Sequence, residues 1–166
     1  DEFIDQEQKK IENICFQLLI QQQPVARDLR TITAAMKMVT DMERIGDHAA
    51  DISEIELMLE KLTPLYNDHL RQMATETSVM LMKSIESFAE KDEKKAQWVI
   101  DRDDVVDDLF DTVKNELIDA IHKDSANGEQ ATDLLMAAKY FERIGDHATN
   151  IAEWAIFAIT GKRALG

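Results

Sequence analysis

One heptapeptide occurs twice in this chain. Glu43-Arg44-Ile45-Gly46-Asp47-His48-Ala49 returns unchanged as Glu142-Arg143-Ile144-Gly145-Asp146-His147-Ala148, at a separation of 99 residues. Seven identities in one register are improbable by chance, so the chain folds as two copies of one unit. The match continues loosely, with Ile52 answering Ile151 and Glu54 answering Glu153. A weaker repeat lies upstream: Asp1-Glu2-Phe3-Ile4-Asp5 resembles Asp103-Asp104-Val105-Val106-Asp107, at a separation of 102. The two separations differ by three residues, which predicts a shorter inter-helix turn in the second copy.

The unit is helical. Met38, Met42, Ile45, Ala49 and Ile52 step by four, three, four and three, the spacing of one helix face, and read as core. Breakers are sparse, with five glycines and two prolines in 166 residues, while apolar residues make up 45%. That balance excludes disorder and favours helix. Pro24 follows a glutamine run, Thr63-Pro64 reads as an N-cap with proline at the first helical position, and Asp92 can cap the helix after Lys91. Ser125-Ala126-Asn127-Gly128 reads as a turn, and Gly161 as a C-terminal cap. Five helices follow, over 1–22, 25–61, 64–91, 93–124 and 129–160. The expected fold is all-α: tandem duplicated three-helix bundles, with repeats at 1–62 and 63–166. The helix at 64–91 precedes the second copy and has no counterpart before the first, so the first helix of the first bundle is expected to be missing from an N-terminally truncated chain. Two helices cannot enclose an apolar seam, so part of the first unit should stay wet or meet a partner.

The repeated residues carry a charge problem. Glu43 and Asp47 lie four apart on one helix face, as do Asp1 and Asp5, and solvated like charges at that spacing repel by about a few tenths of a kcal/mol. A hairpin of the two helices brings both pairs together. Four carboxylates then meet in each unit, where a multivalent cation would turn repulsion into attraction. A single Glu-x-x-x-Asp is more simply a solvated face, ion-paired to Arg44 or Arg143; the duplication and the matching Asp-x-x-x-Asp favour the metal. Leu29, Met36 and Glu43 are seven apart, as are Leu135 and Glu142, so each acid strip continues an apolar strip. Gly46 and Gly145 lie mid-helix, where close helix approach would explain them. Asp51 extends the first set by a turn; the second copy has Asn150 there.

Oxygen-only ligands suit hard ions: Mg²⁺, Mn²⁺, Ca²⁺ or iron. A ferritin-like centre would use Glu-x-x-His on two helices, which neither copy has. His48 and His147 point away from the preceding aspartate and read as supporting or surface groups. Asp119 and His122 have that spacing but stand alone. No nucleophile–base pair, glycine-rich phosphate loop or zinc pattern appears, so no catalytic residue is assigned. The formal net charge, 19 basic against 33 acidic side chains, is −14, which argues against nucleic acid and anionic lipid and for cations or a basic partner. The single cysteine, Cys15, fits a reducing cytoplasm, and no apolar run reaches a bilayer span.

At these residues the sequence resembles the PhoU family of phosphate-signalling proteins. The resemblance runs through Gln23-Pro24, Asp28-Leu29-Arg30, Glu43-Arg44-Ile45-Gly46-Asp47 and Glu142-Arg143-Ile144-Gly145-Asp146. It implies carboxylate-bound metal clusters, held by Asp1, Asp5, Glu43 and Asp47 in one bundle and by Asp103, Asp107, Glu142 and Asp146 in the other. It implies a non-enzymatic negative regulator that contacts the phosphate transporter's ATPase and a phosphate-sensing histidine kinase, often as a dimer, and meets the membrane only through partners. The alternatives are a carboxylate-bridged iron oxidoreductase or storage module, and the C-terminal regulatory domain of a phosphate transporter.

Overall fold

The computed structural model describes residues 2–59, 65 and 67–162. Within them the chain forms helices α1 (Glu2–Gln22), α2 (Ala26–Leu59), α3 (Asp68–Glu90), α4 (Glu93–Lys123) and α5 (Gly128–Thr160), with a short 3₁₀ turn at Ser125–Asn127. The described residues contain no strand, so the all-α expectation holds. The start of the third helix differs from expectation. Thr63 and Pro64 lie outside the described residues, and α3 begins at Asp68, where the Asn67 side chain accepts from Leu70 N. Asn67, itself extended, starts the helix because its side chain replaces a missing intrahelical acceptor. Asp92 plays the expected part for α4, accepting from Lys95 N at 3.0 Å. Lys91 closes α3 in the left-handed conformation at φ 56°, and Gly161 closes α5 at φ 76°.

The second inter-helix connection is not the shorter one. Residues 23–25 join α1 to α2, whereas 124–127 join α4 to α5. The three-residue difference sits in the helical arm instead: Glu43 lies 17 residues after the start of α2 (43 − 26), and Glu142 lies 14 after the start of α5 (142 − 128).

Helices α3, α4 and α5 pack on one another as a three-helix bundle, α2 packs on α5, and α1 packs on α2 alone among the described residues. Helix α5 can serve as the hub because its alanines remove bulk on several sides: Ala138, Ala148, Ala152 and Ala155 are fully buried. The buried face of α3 is Met73, Thr77, Met80, Ser84 and Ser87, again stepping by four and three. Its hydroxyls bond back to the helix's own carbonyls, Ser84 to Leu81 and Ser87 to Ser84, both at 2.7 Å, so small polar residues sit in the core satisfied.

Helices α2 and α5 run antiparallel, with Met38, Ile45, Ile144 and Ile151 forming their shared apolar cluster. Two residues expected in apolar strips face solvent instead: Ala49 is exposed, and Leu29 is 44% exposed. The wet face expected of the first unit is present on α1, where Phe3 (72%), Ile14 (55%) and Ile20 (77%) stand in solvent.

Candidate metal centre

The second repeat presents its acids from two helices, Asp103 and Asp107 from α4 and Glu142 and Asp146 from α5. Gly145 faces α4 here, but the approach does not require a glycine. A methyl at that position would lie 3.5 Å from Val106 Cγ1 and 3.6 Å from Asp103 Oδ1, an ordinary contact. The expected close approach is tighter in the first repeat, where a methyl on Gly46 would lie 2.6 Å from the Ile4 side chain.

The four acids of the second repeat feel one another. Burial, then the charges of Asp146 and Asp107, push the Asp103 carboxyl from its ordinary 3.8 to about 6, and the Thr149 hydroxyl opposes the rise only in part. Asp146 is raised by burial, Glu142 and Asp107, with Lys139 and His147 opposing. Asp107 is raised by burial, Glu142 and Asp104, with Lys139 opposing. Asp107 and Asp146 stay open to solvent, which leaves an entry path for an ion. Glu142 Oε2 is buried, and among the described residues the cation that pairs with it is the Lys139 ammonium. An oxygen donor set that repels itself, with the Lys139 ammonium at one of its oxygens, fits a hard cation. Among the described residues no three His, Cys, Asp or Glu side chains are already gathered in ligating geometry, so binding would require rotamer changes.

The first repeat is arranged differently. Asp1 lies outside the described residues. Asp5 is on α1, one residue from the Ile4 side chain seated against Gly46. Glu43 and Asp47 both engage Arg44, at 3.5 Å from its Nε and 3.2 Å from its Nη1. That is the ion-paired face weighed against a metal in the sequence, and a cation there would compete with the guanidinium.

The motif histidines meet across the α2–α5 seam. The His48 ring stacks on Tyr140 at 5.5 Å and on His147 at 5.7 Å between centroids. His147 Nδ1–H donates to Asp41 Oδ1 at 2.8 Å, and Asn150 adds a second bond to the same oxygen at 3.3 Å. Asp41 and Tyr140 are themselves 99 apart, so each histidine meets the residue seven before the other and a pseudo-twofold axis passes between the rings. Burial holds His48 below the usual histidine range, and the charges of His147 and Arg143 add to this. Asp41, Tyr140 and Lys139 were not singled out in the sequence. The separation of 99 points to the first two; nothing marks Lys139.

A family model described as the PhoU domain matches residues 1–55 and 70–155, covering both acid motifs. This chain belongs to the PhoU domain family. It is 41% identical over 166 residues to the "Phosphate-specific transport system accessory protein PhoU homolog" of Clostridium acetobutylicum, covering 98% of this chain and 75% of that relative. The protein of the same name from Synechocystis is 39% identical over 163 residues, covering 96% of this chain and 71% of that relative. The crystal structure of PhoU from Pseudomonas aeruginosa superposes with a TM-score of 0.93 at 32% identity, covering 98% of this chain and 78% of that one. The structure of the phosphate transport system regulatory protein PhoU from Streptococcus pneumoniae gives 0.89 at 29% identity, over 100% of this chain and 78% of that one. The tandem helical architecture read from the repeat is therefore that of PhoU proteins. No helix among the described residues is long and apolar enough to cross a membrane.

Proposed function

We propose that this PhoU-family chain is a metal-binding regulatory adaptor of phosphate uptake and phosphate-dependent signalling, with its repeats at 1–62 and 63–166. Its relatives are named as accessory proteins of a phosphate-specific transport system. The observation that carries the metal reading is the self-repelling set Asp103, Asp107, Glu142 and Asp146, which holds the Asp103 carboxyl well above its ordinary value and places a cation, the Lys139 ammonium, on the buried Glu142 Oε2. When bound, a hard ion (Mg²⁺, Mn²⁺, Ca²⁺ or iron) supplies the charge that offsets this repulsion. The four carboxylates would hold it between α4 and α5. Asp1, Asp5, Glu43 and Asp47 form the corresponding set of the first repeat.

The proposed role is non-enzymatic and cytoplasmic, with the transporter's ATPase subunit and a phosphate-sensing histidine kinase as partners. The membrane is reached only through them. The apolar face of α1 supplies surface for a partner or for a homodimer. Metal titration tests the central claim. Mn²⁺ or Mg²⁺ should raise the melting temperature of the native chain, and of a Glu142→Ala variant less, because binding to the folded state alone stabilises it. An unchanged melting temperature over a wide titration refutes the metal site. Rapid aerobic oxidation of added ferrous iron, abolished by Glu142→Ala, refutes the adaptor in favour of an oxidoreductase.

A further inference from the structure

A second site lies at the opposite functional extreme from the acids: a cleft lined by cations. Where the start of α2 meets the ends of α3 and α5, a cavity of about 310 Å³ is lined by Arg27, Phe88, Lys91 and Ile159. A second lobe of about 610 Å³ shares Arg27 and Lys91 with it and reaches Pro24 and Asp28 at the α1–α2 turn. Among the described residues, the charged side chains of the inner lobe are Arg27 and Lys91, with no carboxylate. Beside them, the Arg30 guanidinium lies 3.4 Å from where a methyl on Gly161 would sit, and its Nε is buried with no hydrogen-bond partner.

Some basic side chains of this chain of net charge −14 take carboxylate partners, as Lys95 does with Glu86 and Glu90 and Arg102 with Glu76. Among the described residues Arg27, Arg30 and Lys91 pair with none, and their side chains make no hydrogen bond. Arg27 also stands in the first turn of α2, where a cation opposes the helix dipole. The nearby ends of α3 and α5 attract positive charge in general, but no bond to their carbonyls is made. The backbone N–H groups of residues 26–28 lack intrahelical acceptors, because the first helical bond of α2 runs from Leu29 N to Val25 O. Guanidinium, ammonium and free amides together match a tetrahedral oxyanion. The cavity also exceeds what one such ion fills, and Phe88 and Ile159 give its remainder an apolar wall.

We propose that this cleft binds the phosphate group of a small molecule between Arg27 and Lys91, with the molecule's body against Phe88 and Ile159. Asp28, at the outer lobe, keeps the anion in the inner one. The site stands apart from the acid quartets and does not rest on the metal reading.

Calorimetric titration of the full chain tests it, with inorganic phosphate and ADP as separate probes. Chelator is present, so that no carboxylate-held metal can recruit phosphate. Saturable binding of either probe is expected. Tighter binding of ADP than of inorganic phosphate supports the proposal, whereas equal affinities would overturn the part assigned to Phe88 and Ile159. Arg27→Gln and Lys91→Gln should each weaken binding by roughly tenfold, the cost of one charged hydrogen bond. Both positions are exposed, so each single variant should keep the fold. Lys37→Gln, also exposed on α2, should change nothing. Absence of binding by both probes overturns the proposal. So does binding that survives both substitutions, or that Lys37→Gln weakens equally.

Discussion

Replacing Asp103 by asparagine should stabilise the metal-free protein at neutral pH. In the folded state this carboxyl loses its proton near pH 6, against 3.8 ordinarily, chiefly through burial and then through the charges of Asp146 and Asp107. The folded state therefore binds more protons than the unfolded state between pH 3.8 and about 6, and stability falls as pH rises through that window. Above it the full penalty is present; the gap between 3.8 and about 6 corresponds to roughly 3 kcal/mol. The site is partly solvated, so screening reduces the expected gain to about 1–2 kcal/mol. Urea denaturation in chelator at pH 7.5 should show Asp103→Asn more stable by that amount. The advantage should shrink towards zero by about pH 4, where the native aspartate is neutral as well. Metal should reverse the order, because the variant lacks one ligand oxygen charge. A variant less stable than the native chain at pH 7.5 without metal, or a gain that persists unchanged at pH 4, would refute the reasoning.

The two motif glycines should respond oppositely. Gly46→Ala drives a methyl into Ile4 and should cost about 1–3 kcal/mol, loosening α1, which amide hydrogen exchange on α1 would show. Gly145→Ala meets only ordinary contacts and should gain up to about 1 kcal/mol of helix propensity in a denaturation series. Glu76 accepts two bonds from Arg102, at 2.7 and 2.8 Å, which hold its carboxyl below the usual range. Glu76→Gln should cost about 1–2 kcal/mol at pH 7, an effect lost as pH falls below the ordinary value of 4.5, measurable from paired melts. Asp41→Ala leaves His147 and Asn150 without their shared acceptor; a loss of about 1–3 kcal/mol is expected, and Asn150→Ala in the same background should then add little.

The repeat made much of this protein legible from its residues. Identical heptapeptides at a fixed separation announce two equivalent helices, and four-three spacing of apolar residues places them in a helical core. The acids stand out as candidates because like charges on one helix face need a reason to recur. Local signals were weaker. Thr63-Pro64 has the chemistry of a helix start, yet the side chain that caps α3 is Asn67. Both are acceptable caps, and local chemistry does not choose between them.

Tertiary structure decided the rest. Arg44 and Arg143 occupy identical local sequence, but Arg44 folds back on Glu43 and Asp47, whereas the second repeat pairs Glu142 with Lys139. The stacking of His48 on His147 depends on the antiparallel register of α2 and α5, a contact between residues 99 apart. The cationic cleft is assembled from the ends of α2, α3 and α5, distant in sequence, so no motif announces it. Periodicity is a property of one helix and survives in its sequence. Which charges face one another, and which acids lose enough water to hold their protons, depends on how helices are packed, and neighbours along the chain do not record that.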